Sequence, residues 1–166
     1  MRRKKMILFS IGIILIAMAA GGTWWYFSMF SRGCNPPLPR QTITVGSTTF
    51  DAEMATTMAE QACGLSGRVG LGDHQGMMFI FGSGSMQTFW MKDMTFSLDM
   101  IWISGDKVVG FAQNVPPPAL GTQLWQLQLY SSPSNTDKVL EVNAGTVAND
   151  GIKIGDAVTG LMFSYQ

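Results

Sequence analysis

One histidine, two cysteines and 13% charged residues leave this 166-residue chain few ways to do chemistry. His74 sits alone in a polar loop beside Asp73. No second imidazole or thiol stands at a zinc spacing, and no EF-hand run of carboxylates is present, so neither a metal nor another cofactor is expected. No Gly-x-Ser-x-Gly turn marks a hydrolase nucleophile, and a single loop histidine makes no convincing cysteine–histidine pair. Basic excess is missing as well. The net charge is zero, and Arg2, Arg3, Lys4, Lys5 and Arg32 hold five of the eleven basic residues. The remaining six face all eleven acidic residues, which leaves the rest of the chain near −5. A domain of that sign lacks the basic footprint of a nucleic-acid binder. There is no internal repeat and no low-complexity run.

Apolar residues are plentiful, at 46% of the chain, enough for a substantial core. The 25 residues from Met6 to Phe30 carry no charge. As a helix they would run about 37 Å, long enough to cross a hydrocarbon layer of about 30 Å with some tilt. Four basic residues precede them and Trp24-Trp25-Tyr26-Phe27 closes them. That pattern predicts a single-pass anchor in the cell membrane, with residues 1–5 cytoplasmic and the domain outside. The competing reading is a signal peptide cleaved after Ala17-Met18-Ala19, which would leave the aromatic run at a new N-terminus with nothing to pack on. Residues 31–41, with Pro36, Pro37 and Pro39, read as a stiff tether to an exported domain over 42–166. Cys34 and Cys63 both fall on the exported side, where disulfides persist. A bridge between them would close a loop of about 30 residues, worth about 3.5 kcal/mol in the chain-entropy account. Alternatively, Cys63 is a buried helix residue.

Within the domain the signals are short. Thr42–Val45 and Thr48–Phe50 predict a hairpin around Gly46-Ser47. Thr57-Met58-Ala59-Glu60 is a capping box, and the helix it starts ends at Gly64. Strands are predicted at Met77–Phe81, Thr88–Met91, Leu98–Ser104 and Lys107–Ala112, the last two joined at Gly105-Asp106. Pro116-Pro117-Pro118 interrupts regular structure. Trp125, Leu127 and Leu129 alternate with polar neighbours as a half-buried strand would. Val139–Val142 is another strand, Ala144–Asn149 a short helix, and Ile154–Val158 with Leu161–Tyr165 closes the domain. This predicts an all-β sandwich or barrel with one or two short helices, preceded by the transmembrane helix.

The most distinctive stretch is Phe89-Trp90-Met91-Lys92-Asp93-Met94 with Leu98-Asp99-Met100-Ile101-Trp102. Charge inside so apolar a block is costly unless paired or opened to a pocket. Lys92, Asp99 and Glu141 are the charges embedded in the strongest apolar segments, and Arg68 lies in the loop before Gly76. Converging, they could hold a small polar ligand, with Trp90 beside them, or form a structural ion-pair network; two carboxylates and a lysine could also do acid–base work. Phe89, Trp90 and Trp102 could stack on sugar rings only if exposed. Met77, Met78, Met86, Met91, Met94 and Met100 read as core filling rather than as soft copper(I) ligands.

These residues also carry a resemblance. Cys63-Gly64-Leu65 with Arg68, Gly76-Met77-Met78-Phe79, Phe89-Trp90-Met91-Lys92, Leu98-Asp99, Pro116-Pro117, Val139-Leu140-Glu141, Gly145 and Gly155-Asp156 stand in an order and spacing that resembles the domain of unknown function 192 family. The resemblance runs from about Ala55 to Val158. It implies a compact jelly-roll-type β domain and no established activity. Asp93 stands where the family commonly has Asn, and Ser97 where Pro often precedes the Leu-Asp pair. The function expected is a membrane-anchored extracytoplasmic binding or accessory module. A hydrolase-like enzyme using the Lys/Asp/Glu pocket and a structural partner of an envelope protein are the alternatives. The central expectation places Lys92 beside Asp99 or Glu141, so that Lys92→Met is costly and Lys107→Met is not.

Overall fold

Local chemistry starts the fold. In the computed structural model, which describes residues 37–161, Gly46 takes φ +60° and turns strand β1 (Arg40–Val45) back onto β2 (Thr48–Ala55). Thr57 then caps helix α1 (Met58–Cys63): its hydroxyl accepts from the Glu60 amide, and the Glu60 carboxylate accepts from the Thr56 and Thr57 amides at 2.8 Å. Gly64, at φ +51°, ends the helix, and its N–H donates to Glu60 O. Gln61 ties α1 down by donating to the Ile80 carbonyl at 2.6 Å.

β3 (Gln75–Ser85) runs parallel to β2, because α1 and the loop behind it return the chain to the start of β2. β4 (Thr88–Trp90) leaves the sheet. β5 (Leu98–Ser104) and β6 (Lys107–Val115) form the expected hairpin at Gly105-Asp106. After β7 (Leu129–Ser131), β8 (Thr136–Asn143) inserts between β5 and β3. Helix α2 (Thr146–Asn149) and β9 (Val158–Thr159) follow. The main sheet has the order β6-β5-β8-β3-β2-β1-β9, while β4 and β7 pair separately. The sheet curls into a half-barrel whose edges meet at one end. Val108 N–H donates to Asp156 O, Gly155 N–H to Val108 O and Val158 N–H to Asp106 O, around a Lys107–Ala157 bridge.

The domain is therefore mostly β with two short helices: of the expected sandwich or jelly-roll-like barrel it realises a curled half-barrel of seven strands, mixed because β2 and β3 pair in parallel. Among the described residues no helix is long and apolar enough to cross a membrane, and the expected span Met6–Phe30 lies outside them. A correction concerns Trp125–Leu129. Leu124–Gln126 is a 3-10 turn and the strand begins only at Leu129. The alternation there tracks no burial, since Trp125 and Leu129 are exposed.

Strand alternation divides the core in two. Ile43, Phe50, Met54, Met78, Ile101, Leu140 and Val158 fill the interior of the curl. Met77, Phe79, Met100, Trp102 and Val139 form an outer layer, covered by Leu65, Met91, Met94 and Phe89. The central strands β3, β5 and β8 are thus buried on both faces. Of the six clustered methionines, five are core and Met86 is exposed. Gly76 is where this layering admits no side chain. A Cβ there would lie 2.7 Å from the Glu141 carbonyl and 3.1 Å from Leu140 Cδ1. Gly76→Ala is expected to cost about 1–3 kcal/mol in a denaturant titration, as overpacking against backbone does.

Candidate functional site

The outer layer leaves a cavity of about 280 Å³, open to solvent. The end of α1 and its turn (Gln61–Ser66) form one wall, β4 and its continuation to Met94 another, and Phe79 and Phe81 of β3 the back. The aromatic walls brace one another. The Phe89 ring meets Phe79, Phe81 and Trp102 edge to face with centroids 5.0, 6.2 and 5.5 Å apart. Trp90 stands at the mouth, about half exposed. Trp102 is fully buried, so the three aromatic residues make no open sugar platform.

Glu141 reaches this cavity from β8. It shares a face with Val139, and its cross-strand neighbours are Met77 on β3 and Met100 on β5, both fully buried. Its residue exposure is 5%, and its carboxyl has no hydrogen bond or ion pair among the described residues. Burial alone pushes its pKa up to about 8, so the free site holds a neutral carboxylic acid at pH 7.

The other expected residues divide. Trp90 and Lys92 line the same cavity as Glu141, but the Lys92 ammonium pairs with neighbouring Asp93 at the exposed rim. Asp99 is one residue out of step with Glu141. Met100, not Asp99, stands opposite Glu141, so Asp99 points to the interior face with Ile101. There its oxygens accept from the Asn114 amide at 2.7 Å and the Val147 amide at 2.9 Å, fastening β6 and α2 to β5. Asp99→Asn, which keeps one acceptor oxygen, should cost about 1–3 kcal/mol in thermal or denaturant unfolding, because one buried amide loses its partner.

Arg68 pairs elsewhere too. Both its terminal nitrogens clamp Glu53, at 2.7 and 2.6 Å, and Arg40 adds a third contact at 3.0 Å. The Arg68 hydrogen bonds, helped by Arg40 and opposed by burial, hold the Glu53 carboxyl down near pKa 2. Glu53 belongs to the same row as Glu141, with Met77 between them. The Lys/Asp/Glu cluster therefore does not form, and Lys92→Met is expected to be mild, as for exposed pairs generally. Glu53 is the charged residue the sequence reading missed. The polar alternation Asp51, Glu53 against Phe50, Ala52, Met54 signals a two-faced strand but not that Arg68 covers its polar face. Cys63, at the pocket wall, is disulfide-bonded, and Cys34, the other half of the expected bridge, lies outside the described residues.

Comparison with known proteins agrees with this architecture. The DUF192 family, described as uncharacterized ACR, matches residues 41–160. A protein of unknown function from Novosphingobium aromaticivorans is 37% identical, with TM-score 0.66 over 74% of this chain and 86% of its own. A protein from Sinorhizobium meliloti, provisionally described as a transcription regulator, is 24% identical, with TM-score 0.68 over 76% of this chain and 97% of its own; at that identity it shares the fold alone. No curated protein matches the chain. The chain belongs to the DUF192 family.

Proposed function

We propose that this protein is a small-molecule-binding module, held outside the cell membrane by Met6–Phe30, and that the cavity above Glu141 is its binding site. One observation carries the binding reading. The carboxyl of Glu141, a residue 5% exposed, has no partner among the described residues and lines a cavity walled by aromatic rings. A buried polar group that the fold leaves unsatisfied is a cost that a ligand can offset. Export is supported by the four leading basic residues and the distal aromatic run, and the disulfide at Cys63 fits an oxidising compartment.

The two cores supply the test. Methionine-methyl NMR of the full chain in non-ionic detergent, titrated with a panel of small polar compounds, should yield binders that shift Met91 and Met94 and leave Met54 and Met78 in place. A panel without binders, or binders that shift neither Met91 nor Met94, would refute the site. For the anchor, mass spectrometry of the mature protein should find Met6–Phe30 retained; a chain beginning at Ala20 would refute it.

A further inference from the structure

We propose that the ligand class of this cavity is a small organic cation, an alkylammonium group seated on Glu141 and enclosed by Phe79, Phe81, Phe89 and Trp90. The inference rests on the binding reading above and deepens it. The cavity joins the two features that favour such a group. Aromatic faces attract a desolvated cation, and they do so more strongly where water is excluded. Its lining includes one carboxyl, Glu141, with no competing partner among the described residues.

The charges around it leave that role open. β3 and β5 place Met77 and Met100 beside Glu141, not cations. On β2, two strands away, Glu53 is already held by Arg40 and Arg68. At the rim, Lys92 is held by Asp93. Asp99 lies on the opposite face. Thus Glu141 is the one acid on this face without a cation among the described residues, and the methionines beside it cannot supply one.

The neutral state of the free site adds a signature. A cation must displace the Glu141 proton, so binding strengthens as pH rises through about 8 and releases a proton below it. An uncharged ligand of like shape would show neither effect.

Tetramethylammonium chloride and tert-butanol are suitable probes, used on the full chain in non-ionic detergent at constant ionic strength, with sodium chloride as the control. Methyl shifts of Met91 and Met94 report occupancy. At pH 8.5 the cation should bind at least about tenfold more tightly than tert-butanol, and its affinity should fall on the order of 20-fold by pH 6.5. Glu141→Gln, which keeps the shape and cannot ionise, should abolish both the preference for the cation and its pH dependence. Binding of tert-butanol as tight as the cation at pH 8.5 overturns the cation class and leaves the pocket standing. If neither probe shifts Met91 or Met94, the cation inference fails; other binders from the panel then decide the pocket. A cation preference that survives Glu141→Gln overturns the assignment to Glu141.

Discussion

Replacing Arg68 by methionine is expected to cost about 3 kcal/mol of folding free energy, against a negligible change for Lys107→Met on the exposed turn. Glu53 is buried, and Arg68 supplies two of the three contacts to its carboxylate. Removing the guanidinium leaves a buried charge with Arg40 alone, so the penalty sits at the lower end for broken buried pairs. Its pH dependence is a second readout. Glu53 has a depressed pKa in the folded state, near 2 against an ordinary 4.5. Its contribution is therefore complete above about pH 4.5 and is lost as pH falls toward 2. Arg68→Met should flatten that acid limb. A guanidinium titration followed by tryptophan fluorescence, repeated from pH 2.5 to 7, measures both. Equal small effects from Arg68→Met and Lys107→Met would show that Glu53 does not depend on its clamp.

Glu141→Gln should do the reverse and stabilise the protein, by roughly 3–5 kcal/mol at pH 8.5 and by little near pH 4.5. The sign follows from the direction of the shift. Burial raises the folded-state pKa of Glu141 to about 8, so between 4.5 and 8 the folded chain holds a proton that the unfolded chain has released. Stability from this group is thus greatest below pH 4.5, declines as pH rises to about 8, and levels off beyond. Glutamine cannot ionise, so the variant loses the decline. The same denaturation series on wild type and variant gives the difference curve. A flat difference from pH 4.5 to 8.5 would mean that the carboxyl ionises as freely in the folded state as in the unfolded one. The two carboxylates of one sheet face then have opposite pH slopes, because one has two guanidinium partners and the other has none among the described residues.

Features set by neighbours in the chain were legible in the sequence. The capping box at Thr57 and Glu60, the Gly64 stop and the hairpin turns at Gly46 and Gly105 each need only a few residues to specify them. The cavity was legible in part, since Trp90, Lys92 and Glu141 do line it. What escaped was register between distant strands. Asp99 and Glu141 lie 42 positions apart in the chain, and a single-residue offset in the β5–β8 pairing decides whether they share a face. Nothing local fixes that offset; the packing of Ile101 and Leu140 into one layer and Met100 beside Glu141 in the other does. The Arg68–Glu53 clamp escaped for the same reason, and the Trp125 alternation misled because a period of two implies a strand only where one face has something to pack against.

The late seam between β6 and the segment leading into β9 has a consequence for how the chain comes into being. Its partners are Asp106, Lys107 and Val108 on one side and Gly155 to Val158 on the other, some fifty residues later. Synthesis runs from the N-terminus, so almost the whole sheet exists before its last piece. Until then β1 lacks its outer neighbour and β6 lacks its seam, and two rows of unsatisfied amides and carbonyls are available to any other nascent chain. A ribosome that stalls or terminates before Gly155 would release a product that holds most of the apolar core yet cannot shield its own margins. Such truncated products should partition into aggregates or to chaperones.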